Sequence, residues 1–179
     1  MTPRYPAVVS LTMEWVNKVH STQPDPPLDL YEACELLGIR LLEEDLPYYL
    51  DGFRFRTSRG TPHIVVNRTV YKPVGRKRFS IAHEIGHACL CELIDVGAIA
   101  IQETASDQAR MEWICDHFAG CLLMPEEPFR ALWHEYRAKP VGRLAIIANR
   151  FEVSIEAAKV RAAHLELGGS QWQHPQQEQ

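Results

Sequence analysis

The stretch Phe79-Ser-Ile-Ala-His83-Glu84-Ile-Gly-His87-Ala-Cys-Leu90 contains H-E-x-x-H, and this pattern constrains the chain more than any other. On a helix, two histidines four residues apart are separated by ~400° of rotation, about 40° beyond a full turn, so both imidazoles leave nearly the same face. Neutral imidazole suits zinc, and a hydrolytic zinc site needs three protein ligands plus an open position for water. Glu84 is placed to take the proton from that water. The motif is short enough to arise by chance, so the rest of the chain has to supply a third ligand and a frame.

The frame is that of an ordinary globular protein. A chain of 179 residues, 46% hydrophobic and 23% charged, can bury one core. Its net charge of -4 argues against global attraction to nucleic acid or membrane. No apolar run approaches membrane-spanning length, and the N-terminus lacks a secretory pattern, so a cytoplasmic protein with no membrane partner is expected. Five cysteines without scaffold spacing fit a reducing compartment, mostly as small buried hydrophobes.

Residues 7–20 carry apolar side chains at helical spacing (Val8, Leu11, Trp15, Val19). After the Pro24–Pro27 cluster, Asp29 caps a second helix that stops at Gly38. The period then changes. Short runs at Ile39–Leu42, Gly52–Arg56 and His63–Asn67, separated by Pro, Gly and Asp, predict strands. Phe53 and Phe55 alternate with Arg54 and Arg56, which predicts one face on the core and one in water. His63 reads as a structural or exposed histidine. The basic lead-in Arg76-Lys77-Arg78 reads as a solvated face, with the helix proper beginning at Phe79. Along it Phe79, Ala82, Ile85, Gly86, Cys89, Leu90 and Leu93 fill one arc, with His83 and His87 at its edge and Glu84 beyond. Gly86 lowers helix propensity and permits a close neighbour.

Residues 94–105 predict a loop or irregular crossover. Ser106 to Met124 then predicts a helix ended by Pro125, with Glu112, Asp116, Ala119 and Leu123 on one face. Two carboxylates one turn apart among apolar residues are costly to bury. Metal coordination by Glu112 would compensate, with Asp116 accepting the free N–H of a ligand histidine. The alternatives are an ordinary exposed glutamate at 112, or Cys115, His117 or Cys121 as donors. The cysteines lie on arcs away from Glu112 and His117 projects about 140° from it, which makes each a poorer partner.

With these residues in view, the chain resembles the ImmA/IrrE family of metallopeptidases over roughly residues 30–165. The resemblance is carried by Ile64-Val-Val-Asn67, by Arg78-Phe-Ser-Ile-Ala-His83-Glu84-Ile-Gly-His87, and by Glu112-x-x-x-Asp116-x-Phe118-Ala119-x-x-Leu122-Leu-Met-Pro125. It implies an α+β, zincin-like fold: a small antiparallel or mixed sheet of about three strands packed against several helices, with a C-terminal helix-turn-helix-like portion. It also implies one Zn2+ held by His83, His87 and Glu112, with Glu84 as catalytic base, and a regulatory role in which a helix-turn-helix repressor of a mobile element or stress regulon is cut or lost. Departures are modest: Cys115 stands where alanine is usual, Asp116 where asparagine is frequent, and Gly120-Cys121 where Ala-Glu or Ala-Ala is usual.

In proteases with this motif, substrate commonly lies as an extended strand on a sheet edge, so the run from His63 through Ile64, Val65, Val66 and Asn67 is the candidate docking strand. Glu126 to Ala138 predicts a further helix. Leu144 to Arg161 has the cadence of helix, turn, helix, with Ser154 as N-cap. Residues 137–165 hold six Lys/Arg against two Glu, a local +4, which keeps direct DNA binding as an alternative to structural packing. The expected organisation is a single metallopeptidase domain over 1–167 (core about 30–138, C-terminal pair about 141–166) and a disordered tail over 168–179. The rival function is a non-proteolytic regulator that binds DNA or a repressor through those last helices and keeps a structural metal. Cys89 and Cys91 near the motif raise a redox switch, with buried packing the simpler reading.

Overall fold

Two helices in this chain start on residues whose side chains satisfy unpaired backbone amides. The computed structural model describes residues 5–50, 52–69, 72–95 and 105–167. After α1 (Tyr5–Thr22), α2 (Leu30–Leu36) opens on Asp29, whose Oδ1 accepts the amides of Tyr31 (2.8 Å) and Glu32 (3.1 Å). It closes at Gly38, where φ of +70° suits glycine, and the Ile39 amide returns to the Cys34 carbonyl at 2.8 Å. Both ends fall where the sequence places them.

Three strands follow: β1 (Arg40–Glu44), β2 (Gly52–Arg56) and β3 (Pro62–Asn67). Their order is β1-β3-β2, with β1 parallel and β2 antiparallel to β3. This mixed three-stranded sheet and seven helices among the described residues make an α+β fold, as expected. The strand order corrects the expected docking strand. Both edges of β3 are already paired, so Ile64, Val65, Val66 and Asn67 have no free ladder to offer a peptide. Ile64 is in the core. Asn67, also buried, holds the loop after β1: its Nδ2 donates to the carbonyls of Leu46, Pro47 and Leu50, and its Oδ1 accepts the Leu46 amide. Among the described residues, the free sheet edge on this side belongs to β2.

β2 also turns the expected way of facing round. Phe53 and Phe55 are 42% and 43% exposed and stack on one another, while Phe55 also stacks on His63 at 4.8 Å. The arginines face the helix, where Arg54 meets Glu84 and Arg56 Nη2 donates to the Ala88 carbonyl at 3.4 Å. The alternation was legible. Its direction was decided by a carboxylate and a carbonyl on the helix, which a phenyl ring cannot satisfy.

That helix, α3 (Val74–Asp95), begins before Phe79, so the basic lead-in lies inside it. Lys77 pairs with Glu43 at 2.9 Å, and Arg78 donates to the Leu28 carbonyl at 2.6 Å, so these two cations tie α3 to earlier elements instead of forming a solvated face. α4 (Ala105–Leu123), α5 (Glu126–Glu135), α6 (Arg143–Phe151) and α7 (Ile155–His164) complete the chain. The crossover expected near 94–105 falls largely, and the tail wholly, outside the described residues. One buried cluster takes side chains from α1 (Val16, Val19), β3 (Ile64), α3 (Ile85), α4 (Phe118, Leu122), α5 (Phe129) and α6 (Phe151).

Two close approaches fix this packing. At Gly86 a Cβ would lie 3.1 Å from the Phe118 ring and 3.3 Å from the Cys115 Cα, so the glycine lets α3 and α4 meet nearly backbone to backbone. At Gly75 a Cβ would lie 2.5 Å from the Val153 carbonyl carbon and 2.6 Å from the Ser154 nitrogen. The turn joining α6 and α7 is thus pressed onto the first turn of α3. Ser154 caps α7 as expected, accepting the Ala157 amide at 3.0 Å.

Two predictions follow from this packing. Gly75→Ala forces backbone apart and should destabilise by about 1–3 kcal/mol in urea unfolding, whereas an unchanged midpoint would show that the turn is not held there. The second concerns His20, half-buried on α1, with Nε2 2.9 Å from the Leu122 carbonyl. Burial holds its pKa below the usual value, with the Arg161 charge adding to this and the Leu122 bond opposing it. As pH falls through about 6.5 the unfolded chain takes up this proton before the folded one, so stability is lost on acidification down to the depressed folded pKa. The drop in urea midpoint from pH 7.5 to 5.5 should be larger in wild type than in His20→Gln; equal drops would remove His20 from the account.

Candidate metal centre and catalytic cleft

The α3–α4 contact carries the motif histidines to the carboxylates predicted to join them. His83 Nε2 and His87 Nε2 lie 3.0 Å apart, with the rings edge to face. Glu112 spans them, Oε2 at 3.2 Å from His83 Nε2 and Oε1 at 3.2 Å from His87 Nε2. Among the described residues these three form the one cluster of His, Cys, Asp or Glu side chains able to hold an ion.

The donor set fits a metal. Ligand atoms of one tetrahedral ion with bonds of ~2.05 Å lie about 3.3 Å from each other, close to the spacing seen here. His83 Nδ1 sits 2.8 Å from Asp116 Oδ1, so with an ionised aspartate the ring hydrogen is at Nδ1 and the Nε2 lone pair points at the shared centre. Glu112 adds only acceptor oxygens. Electron pairs converging at hydrogen-bond distance call for a cation between them.

Electrostatics separates the two imidazoles. The Asp116 hydrogen bond raises the pKa of His83, against an opposing effect of burial. Burial, then the charges of Arg54 and His83, lower that of His87, favouring the neutral form that binds metals. His87 is 4% exposed and its Nδ1 has no hydrogen-bond partner among the described residues, so packing and the contacts of Nε2 orient that ring. The supposed burial of the two acids is corrected, since the Glu112 and Asp116 side chains are 60% and 59% exposed. Asp116 borders an open cleft and Glu112 is exposed to solvent, so the cost of burying charge was not what placed them.

Glu84 points into the same cleft and is paired with Arg54, Nη1 to Oε2 at 2.7 Å. The sequence reading missed Arg54. Its signal was the Phe-Arg-Phe-Arg run, misread because the phenylalanines were assigned to the core. The cleft encloses about 330 Å³ and is walled by Gly52, Val65, Val66, Asn67, His83 and Glu84, among others. Part of the expected docking strand therefore does border the site, although its backbone is spent within the sheet.

The competing donors lie elsewhere. His63 Nδ1 faces the Thr61 carbonyl at 3.1 Å. Cys115 is fully buried, and burial raises its thiol pKa. His117 stacks on Trp113, with Nε2 3.5 Å from Cys121 Sγ. Cys89 is buried, Cys91 is partly exposed, and neither is in a disulfide.

Comparison with known proteins gives the family of the chain. The Peptidase M78 family, described as the IrrE N-terminal-like domain, matches residues 34–163. The radiation response metalloprotease IrrE of Deinococcus radiodurans is 32% identical over 119 residues, 64% of this chain and 35% of that protein. Its counterpart in Deinococcus deserti is 34% identical over 99 residues, 54% of this chain and 34% of that one. The chain thus spans about a third of the length of these curated relatives. A solved Mycobacterium tuberculosis transcriptional regulator shares the fold, with a TM-score of 0.60 at 21% identity over 86% of this chain and 46% of that one. No helix among the described residues is long and apolar enough to cross a membrane. A match over residues 34–163 covers most of the chain, and the chain belongs to the Peptidase M78 family, the IrrE N-terminal-like domain.

Proposed function

We propose that the protein is a zinc-dependent endopeptidase of the ImmA/IrrE type that cleaves a helix-turn-helix transcriptional repressor in the cytoplasm. The observation that carries the peptidase reading is the convergence of His83, His87 and Glu112 on one point, with Glu84 beside it in an open cleft. The repressor as substrate rests on the regulatory role that the family resemblance implies. Two basic side chains of the last helices, Arg150 and Lys159, keep DNA binding as a rival, but Arg161 is buried and its charge is not available to a phosphate backbone.

In this reading His83, His87 and Glu112 would hold the ion, which would supply Lewis acidity for water and for the scissile carbonyl. Glu84 accepts the proton of the attacking water as the carbon–oxygen bond forms, then delivers it to the departing amine nitrogen as the carbon–nitrogen bond breaks. Asp116 fixes the His83 tautomer. Arg54 engages one carboxylate oxygen of Glu84 and orients the base. The free edge of β2 takes the substrate as an added antiparallel or parallel strand, in place of the occupied β3.

Two experiments test this. Glu84→Gln should retain metal while losing at least ~100-fold in cleavage of the cognate repressor. Equal cleavage by the variant, or no bound metal in either protein, would sink the proposal. Retained repressor control in cells by Glu84→Gln would instead favour the non-proteolytic rival. Arg54→Met should lower kcat/KM by about 10- to 100-fold, ~1.4–2.7 kcal/mol, with metal content unchanged. A variant as active as wild type would leave Arg54 a surface ion pair and nothing more.

A further inference from the structure

A second cavity, of about 520 Å³, lies beyond the cleft where α3, α4 and α7 meet, and the chemistry described above makes no use of it. Its volume is that of a small-molecule site. Phe79, Trp113, Met124, Ala157 and Val160 supply apolar wall. Two features mark it as more than a packing defect.

The first is Gly120, in the interior of α4, where glycine is a poor helix former. Unlike Gly86 and Gly75, it is not required by a close neighbour: a Cβ there would meet nothing within 4 Å. The missing side chain simply leaves room in the cavity wall.

The second is Arg161, on α7, which is 6% exposed and lines the same cavity. Nε donates to the Met124 carbonyl at 2.9 Å and Nη1 to Cys121 Sγ at 3.2 Å. Burial raises the pKa of that thiol, which keeps it neutral. Arg161 pairs with no carboxylate among the described residues, although buried arginines ordinarily have one. The two acids that border the cavity are engaged or peripheral. Asp116 is bonded to His83, and Glu156 is 75% exposed beside Lys159. A buried cation at the end of an apolar chamber is complementary to an anion that carries an apolar body.

We propose that this cavity binds a small organic anion, an aryl or bulky alkyl carboxylate or sulfonate, whose head group pairs with Arg161 and whose body occupies the space left at Gly120. Phe79, Ser80 and Asp116 border both this cavity and the catalytic cleft. A ligand there touches the residue that orients His83, so its binding is positioned to tune the centre. That last step rests on the peptidase reading, whereas binding itself does not.

The test uses the full chain and two probes that share one body, 8-anilinonaphthalene-1-sulfonate and its uncharged analogue N-phenyl-1-naphthylamine. Fluorescence titration should show one saturable sulfonate site per chain, with the neutral analogue at least 10-fold weaker. Gly120→Leu fills the chamber from a position where an added Cβ meets no neighbour within 4 Å. It should keep the wild-type circular dichroism and weaken the sulfonate at least 10-fold. Arg161→Met should erase the preference for the sulfonate; should it fail to fold, the neutral probe and Gly120→Leu still decide. Equal sulfonate affinity in wild type and folded Gly120→Leu overturns the location, and equal affinity for the two probes overturns the anion. Glu84→Gln should bind the sulfonate like wild type, which separates failure of this site from failure of the peptidase reading.

Discussion

The close approach of α3 and α4 at Gly86 is the contact on which the rest depends. With the Phe118 ring 3.1 Å from where a Cβ would stand, even a methyl group asks the two helices to part. His83 and His87 come from one helix and Glu112 from the other, and their reacting atoms lie within 4.8 Å. A separation that a packed core would regard as small is large beside a metal–ligand bond. The precision of the centre is therefore inherited from a glycine one turn along, and the same helix pair brings Asp116 to His83 Nδ1 at 2.8 Å.

Much of this could be read in the residues because it is local. Helical spacing puts His83 and His87 on one face, and Glu112 and Asp116 on another, with no knowledge of what lies between. Capping by Asp29 and Ser154, the stop at Gly38 and the three strand segments obey the same short-range chemistry. What could not be read is long-range. Nothing in Ile64-Val-Val-Asn67 announces that β3 is central, because strand order depends on where β1 and β2 arrive. Nothing in Phe-Arg-Phe-Arg states which face a helix will cover, and Glu84 decided it from thirty positions away. The exposure of Glu112 and Asp116 belongs with these, since a helical projection gives direction but not the depth of a cleft.

The C-terminal helices show how a pattern can be right in form and still leave its use open. The helix-turn-helix cadence is present in α6 and α7. Yet the turn between them is seated on Gly75, and Arg161, counted among the basic residues of the segment, is enclosed near Met124 and Cys121. A sum of charges treats every arginine alike. Burial removes this one from the surface potential and gives it to the interior.

The edge strand β2 carries one more implication, for association between molecules. An unpaired strand will accept a peptide, and for the same reason it will accept the edge of another copy. β2 is only five residues long, and the two arginines it turns toward α3 would be left unsolvated in a flat strand-on-strand stack. Shortness and inward charge are standard defences against such stacking. Replacing Arg54 and Arg56 by apolar residues would thus weaken the barrier to self-association at the strand proposed to receive substrate.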